Sequence, residues 1–193
     1  TIALKSRIQP DKIAQLIDFP WQGLLEGSIP VEGLLRIPQA TDASSTGASL
    51  QLTGDMLGTS IALPVPLGKA ANEQRTLDIR IDFGKKIERV KGALGDKLVI
   101  DTRFEDGLFD RGWVSYDRAV ALPESGQMLF AGYLADTDLA LWQPLVQLID
   151  SHRKTLVNRP SRGDAVRNWE SRVDLRFDTA ILAETALNRV EAV

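Results

Sequence analysis

The chain has 193 residues, 44% of them hydrophobic, and a formal net charge of −3, which is enough apolar material for one domain with a real core. Both signs of charge are spread along it without a basic block to track a phosphate backbone, so nucleic acid is not an expected partner. The absence of cysteine removes disulfides, thiolate nucleophiles and cysteine-type zinc sites.

The chain starts at Thr1 and carries neither a charged segment leading into an apolar stretch nor an apolar run of about 18 residues. We therefore expect one β-rich domain over 1–193, cut from a longer protein. Taken in order, the first candidate element is a short helix near 11–17. Over 25–37 the odd positions read Leu, Gly, Ile, Val, Gly, Leu, Ile, and most even positions are polar, the pattern of a half-buried strand with glycine irregularities. A loop follows at 39–47 and a weaker strand at 48–54.

The stretch "IALPVPLGKA" at 61–70 alternates like a strand but carries Pro64 and Pro66, which cannot donate to a ladder. It reads as a strand leaving its sheet near Leu63 in extended form, with Ile61, Leu63, Val65 and Leu67 facing one way. The clearest strands are "TLDIRIDFG", with Leu77, Ile79, Ile81 and Phe83 on one face, "KLVIDTRF", with Leu98, Ile100 and Phe104, and "RVDLRFDTAI", with Val173, Leu175, Phe177 and Ile181. Weaker strands are expected at 86–94, 108–116, 127–135 and 186–193. The pairs Gly95-Asp96 and Asp106-Gly107 suggest hairpins of an antiparallel meander. One main helix is expected near 142–155, where Leu141, Leu145, Leu148 and Ile149 recur at helical spacing, followed by a loop over 156–168.

The expected fold is mainly β (α+β), one large antiparallel sheet of about nine strands with one helix or two. Such a sheet is roughly 40 Å across at about 4.8 Å per strand, whereas a helix is only about 10 Å wide. The helices cover part of the apolar face, and two solutions remain for the rest. Either the sheet closes as a sandwich or barrel, or it forms an open trough whose floor is covered by a ligand with hydrocarbon chains.

Residues for catalysis are sparse. His152 is the single histidine, at a helix end without an ordered carboxylate partner or a serine elbow. Asp101, Glu105, Asp106 and Asp110 lack the spacing of a calcium loop and read as solvated hairpin residues. Gly68-Lys69 lacks the flanking residues of a phosphate loop. Trp21, Trp113 and Trp169 are few enough to serve packing, and Trp142 reads as core. Carboxylate pairs for glycosidic chemistry are brought together by the fold and leave no local signature, so a polysaccharide hydrolase stays open as a third reading; no cofactor or metal is expected.

The stretch "GTSIALPVPLGKAANE", preceded by "LQLTGDMLG", resembles the YhdP family of AsmA-like periplasmic proteins, with their "LPxPLGK" signature. In order along the chain, "FPWQGLLEGSIPVEGLLRIP" is similar to the family's strand leading into that unit, "RGWVSY" and "ALPESGQMLFAGYLADTDLALWQPLV" to its later strands and tryptophan-bearing helix, and "SRVDLRFDTAILAETALNRVEAV" to its return to the sheet. Val65 stands where alanine is expected.

The resemblance implies a non-catalytic periplasmic segment of a very large envelope protein, held in the inner membrane by an anchor outside this sequence. It implies a hydrophobic groove that helps to move phospholipid between inner and outer membranes, and so selects the open trough. Its expected floor is Leu77, Ile79, Ile81, Phe83, Leu98, Ile100, Phe104, Val173, Leu175, Phe177 and Ile181. The expected partners are phospholipid acyl chains, the rest of the same long chain and, for an excised piece, a second copy through edge strands. The competing expectation is a structural spacer or protein-interaction module of the envelope with a closed β core.

Overall fold

The structure is a computed structural model, and it describes residues 1–9, 23–38, 47–144, 147, 170–182 and 185–192. The expected helix at 11–17 and most of the one at 142–155, with His152, Trp21 and Trp169, lie outside the described residues. What is described of the second begins as a 3-10 turn, Leu139–Trp142, with the Asp138 side chain accepting from the Ala140 N–H.

The strands are β1 (Ile2–Ile8), β2 (Leu25–Glu26), β3 (Ile29–Arg36), β4 (Ser49–Asp55), β5 (Ser60–Ile61), β6 (Thr76–Phe83), β7 (Ile87–Leu94), β8 (Leu98–Glu105), β9 (Leu108–Tyr116), β10 (Gln127–Asp138), β11 (Glu170–Leu182) and β12 (Thr185–Ala192). Ten of them form one sheet in the order β1-β3-β4-β6-β7-β8-β9-β10-β11-β12, and β2 pairs with β5 in a small second sheet. Spatial order follows chain order, and β1 and β12 stand at opposite edges, so the large sheet is not closed. At about 4.8 Å per strand its ten strands extend roughly 43 Å.

Most of the expected strands occur within a residue or two of their sequence positions, because each has an alternation that only a sheet with two unlike faces can satisfy. Asp106 (φ 53) and Gly107 (φ 77) form the two-residue turn between the paired Glu105 and Leu108, and two positive φ values suit the twist of the hairpin. At the β7–β8 turn the Leu94–Leu98 pairing leaves Gly95, Asp96 and Lys97 in the link, one residue more than expected.

Three expectations are corrected and one strand is added. The stretch 25–37 is broken into β2 and β3 at Gly27 (φ 105), where a Cβ would stand 2.6 Å from the Gly58 carbonyl oxygen. The sheet is mixed, not wholly antiparallel, because β10 pairs parallel with both β9 and β11. A parallel neighbour must start from the same end of the sheet, so the chain returns over 117–126, a length no tight hairpin uses. A tenth strand, β1, pairs antiparallel with β3; its sequence "IALKSRI" carries too short an alternation to stand out alone. Finally, regular pairing in "IALPVPLGKA" ends at Ile61, near the expected point, but the continuation folds back in a tight turn instead of running on extended. Leu67 N–H donates to the Pro64 carbonyl, the Val65–Pro66 peptide is cis, and Val65, at the tip, is 77% exposed.

Among the described residues, buried hydrophobic side chains form two clusters. Ile29, Val31 and Met56 pack with Ile8, Leu25, Ile61, Leu77 and Leu94, and Leu134, Phe177 and Ala180 pack with Tyr116, Leu139 and Leu175. In the strand registers Val31, Leu77, Leu94, Tyr116 and Leu175 fall on one line across the sheet. The two clusters therefore lie along one rim of the sheet, where strands end.

Candidate functional site

Residues paired across a ladder point to the same face, and neighbours along a strand point to opposite faces. Following the registers from β1 to β11 gives parallel lines of side chains on one face. The line at the rim holds Val31, Gly54, Leu77, Leu94, Leu98, Tyr116, Gly132 and Leu175. The next holds Leu4, Gly33, Leu52, Ile79, Gly92, Ile100, Val114, Phe130 and Val173. The third holds Ile2, Leu35, Leu50, Ile81, Val90, Thr102, Gly112 and Met128. Phe83 and Phe104 share a further line with Phe109, whose ring meets that of Phe104 edge-on at 6.0 Å. One surface, apolar apart from Ser6, Glu88, Thr102 and Ser171, thus crosses nine strands.

That surface is only partly covered. No side chain of the second line is buried: Ile79, Ile100 and Val114 are half-buried, and Leu4, Phe130 and Val173 are exposed by 38 to 41%. Its glycines let neighbours lean across, so that a Cβ at Gly92 would stand 2.7 Å from Ile100 Cγ2. The opposite face is charged, with Lys5–Glu32 at 2.7 Å and Thr53 Oγ1 donating to Asp78 at 3.0 Å. On it Arg89 grips the buried Asp101 with Nε and Nη2 at 2.7 and 2.5 Å. Arg118 and Asp174 pair at 2.7 Å, and the guanidinium holds the Asp174 carboxyl below its usual range.

Ten of the eleven expected floor residues fall on this face. Leu77, Leu98 and Leu175 are on the rim line, Ile79, Ile100 and Val173 on the second, Ile81 on the third, and Phe83 and Phe104 beyond it. Phe177 is buried in the rim cluster beside Leu134. Ile181 stands apart: pairing skips Asp178 on both sides of β11, and burial changes phase there, so that Ala180 enters the cluster and Ile181 stays 37% exposed. Of the four acidic hairpin residues, Asp101 pairs with Arg89, and Asp110 pairs with Arg111 and accepts from Ser125. Among the described residues no group of three or more metal-ligating side chains forms.

The rim is built by the proline stretch. Lys69 is 4% exposed, and its Nζ donates to the carbonyls of Met56 (2.8 Å), Thr59 (2.7 Å) and Ala70 (3.0 Å). Three donors meet three acceptors, which is how an ammonium group can be buried; burial pushes its pKa down. Ile61 and Lys69 exchange backbone bonds at 2.9 and 3.0 Å, and Arg75 donates to the carbonyls of Leu67 and Gly68. Held this way, Leu67 reaches the apolar face above Leu98 and Tyr116.

Leu67 on one side and Leu139 and Trp142 of the 3-10 turn on the other enclose a pocket of about 330 Å³. Its floor includes Leu98, Val114, Tyr116, Phe130, Gly132 and Leu175, and Thr137 is its single polar side chain besides the Tyr116 hydroxyl and the indole N–H. The sequence marked out Leu67 and Trp142 only by their motifs, because no local pattern brings 61–70, 98–116 and 139–142 together. Leu50, Leu52, Val114 and Phe130 were legible in principle from their alternation.

A family model described as YhdP protein matches residues 1–193. No curated protein matches the chain, and no solved structure does.

Proposed function

The chain belongs to the YhdP family, and from that membership we propose that its apolar face is the floor of a lipid-carrying groove. In this reading acyl chains lie on the lines through Leu77, Ile79 and Ile81, and the segment helps to move phospholipid between the inner and outer membranes from a periplasmic position. Among the described residues no helix is long and apolar enough to cross a membrane, and the proposal places the inner-membrane anchor elsewhere in a longer protein. The partners are acyl chains and further segments of the same chain, which would extend the sheet from the edges of β1 and β12. A second copy would pair at those edges in an isolated piece.

The observation that carries the reading is the continuous line from Leu4 to Val173, apolar across nine strands and nowhere buried. A face of this kind in water invites an apolar cover, and burial of an acyl chain is worth about 0.8 kcal/mol per CH₂. Such binding needs area more than particular atoms, so the reading is non-catalytic and assigns no essential residue on the floor. The test is a charge at the centre of the face. Ile79→Glu is expected to leave a folded protein that has lost lipid transfer between vesicles; global unfolding would instead identify the face as the interior of a closed structural module.

A further inference from the structure

The apolar pocket over Tyr116 has a polar neighbour. A second cavity, of about 490 Å³, lies at the same rim between the proline stretch and the β7–β8 turn, and Leu67, Leu98 and Tyr116 line both. Beyond that shared wall the linings differ. One is largely hydrocarbon, from Val114, Phe130, Leu175 and Phe177, and the other carries the charged side chains Glu73, Arg75, Asp96 and Lys97. A ligand that fills both is apolar at one end and charged at the other.

The charges set what the polar end carries. Arg75 is engaged within the rim, with Glu73 at 2.8 Å and with the Leu67 and Gly68 carbonyls. Lys97 Nζ stands at the shared wall, 5.9 Å from the centre of the Tyr116 ring. Among the described residues its one hydrogen bond goes to Asp117, at 2.7 Å. An ammonium group has three donors, so two remain for an anion, and the Lys97 side chain is 47% exposed and accessible to one. Asp96 is exposed and makes no hydrogen bond or ion pair among the described residues, and a cation with N–H donors suits it. With Asp117 included, three carboxylates stand against two cations, which disfavours a headgroup of net negative charge.

We propose that the rim seats a zwitterionic phospholipid with a primary ammonium: its phosphate on Lys97, its ammonium on Asp96, and an acyl chain passing Leu67 into the apolar pocket. Lys69 and Arg75 hold Leu67 as the partition between the charged and the hydrocarbon compartment. This assignment rests on the groove reading and adds to it the class of headgroup.

The experiment incubates the chain, stripped of lipid, with vesicles of equal parts phosphatidylethanolamine and phosphatidylglycerol at neutral pH, re-isolates it and measures both lipids bound. Wild type is expected to hold phosphatidylethanolamine in about five-fold excess, the upper end for an exposed ion pair. Asp96→Asn should bring that ratio to about one. Lys97→Gln should lower both lipids several-fold, since both carry the phosphate. Both substitutions are at exposed turn residues, and the melting temperature is expected to change little in either. Equal amounts of the two lipids on wild type, an excess that survives Asp96→Asn, or undiminished uptake by Lys97→Gln would overturn the headgroup seat and leave the groove standing. Uptake of neither lipid would overturn both. Soluble phosphoethanolamine, which has the charges without the chains, is expected not to displace the lipid at equal concentration; displacement would overturn the pairing of the two cavities.

Discussion

At Gly68 a Cβ would stand 2.0 Å from the Leu63 carbonyl oxygen and 3.1 Å from its carbon. Backbone cannot yield there without opening the tight turn, so Gly68→Ala is expected to lower stability by about 1–3 kcal/mol in urea unfolding. Its neighbour Lys69 poses the complementary problem. Lys69→Met fills similar volume but leaves three carbonyls without their donor, and we expect a loss of about 2–4 kcal/mol; a neutral result would show that the rim unit contributes nothing to the fold. These two residues explain the "PLGK" part of the signature in physical terms. The sequence displayed the motif plainly but not its geometry, because Lys69 meets Met56 and Thr59 and Arg75 reaches back to Leu67 and Gly68, contacts that no periodicity encodes.

Strands were the legible level. From β3 to β12 the positions follow from alternation, since a one-residue slip would exchange the apolar and charged faces. What alternation does not carry is direction, and the parallel placement of β10 is set by the return over 117–126 rather than by anything within the strand. Nor does it carry phase slips. Val173, Leu175, Phe177 and Ile181 share odd numbers, yet the interruption at Asp178 leaves Ile181 out of the cluster that takes Ala180.

On the other face of β11, Asp174 has its pKa lowered by hydrogen bonding to Arg118. A carboxyl depressed in the folded state contributes stability that is present above its unfolded pKa and is lost as pH falls through the folded one. Asp174→Asn is therefore expected to be less stable than wild type near neutral pH and to converge with it as pH falls well below about 4. A constant difference across that range, in unfolding midpoints, would show that the pair does not act through ionisation.

At the scale of the molecule, among the described residues the two buried apolar clusters lie along one rim, and the second line of the wide apolar face holds no buried side chain. A closed β structure would put its most apolar line in its interior; here the line through Ile79, Ile100 and Val114 is half-buried at most, whereas Phe177 at the rim is 6% exposed. Charges at the two places should differ accordingly. Phe177→Glu is expected to abolish cooperative unfolding, and Ile79→Glu to change the melting temperature by only a few degrees. Composition left sandwich and trough both open because the choice depends on whether the two edges meet, a global property, and β1 and β12 do not. The most direct test of the central claim is the lipid content of the chain purified without added lipid, measured by native mass spectrometry with extraction. The account predicts bound acyl lipid in wild type and its loss in Ile79→Glu; a lipid-free, fully folded wild type that takes up no phospholipid from vesicles would contradict it.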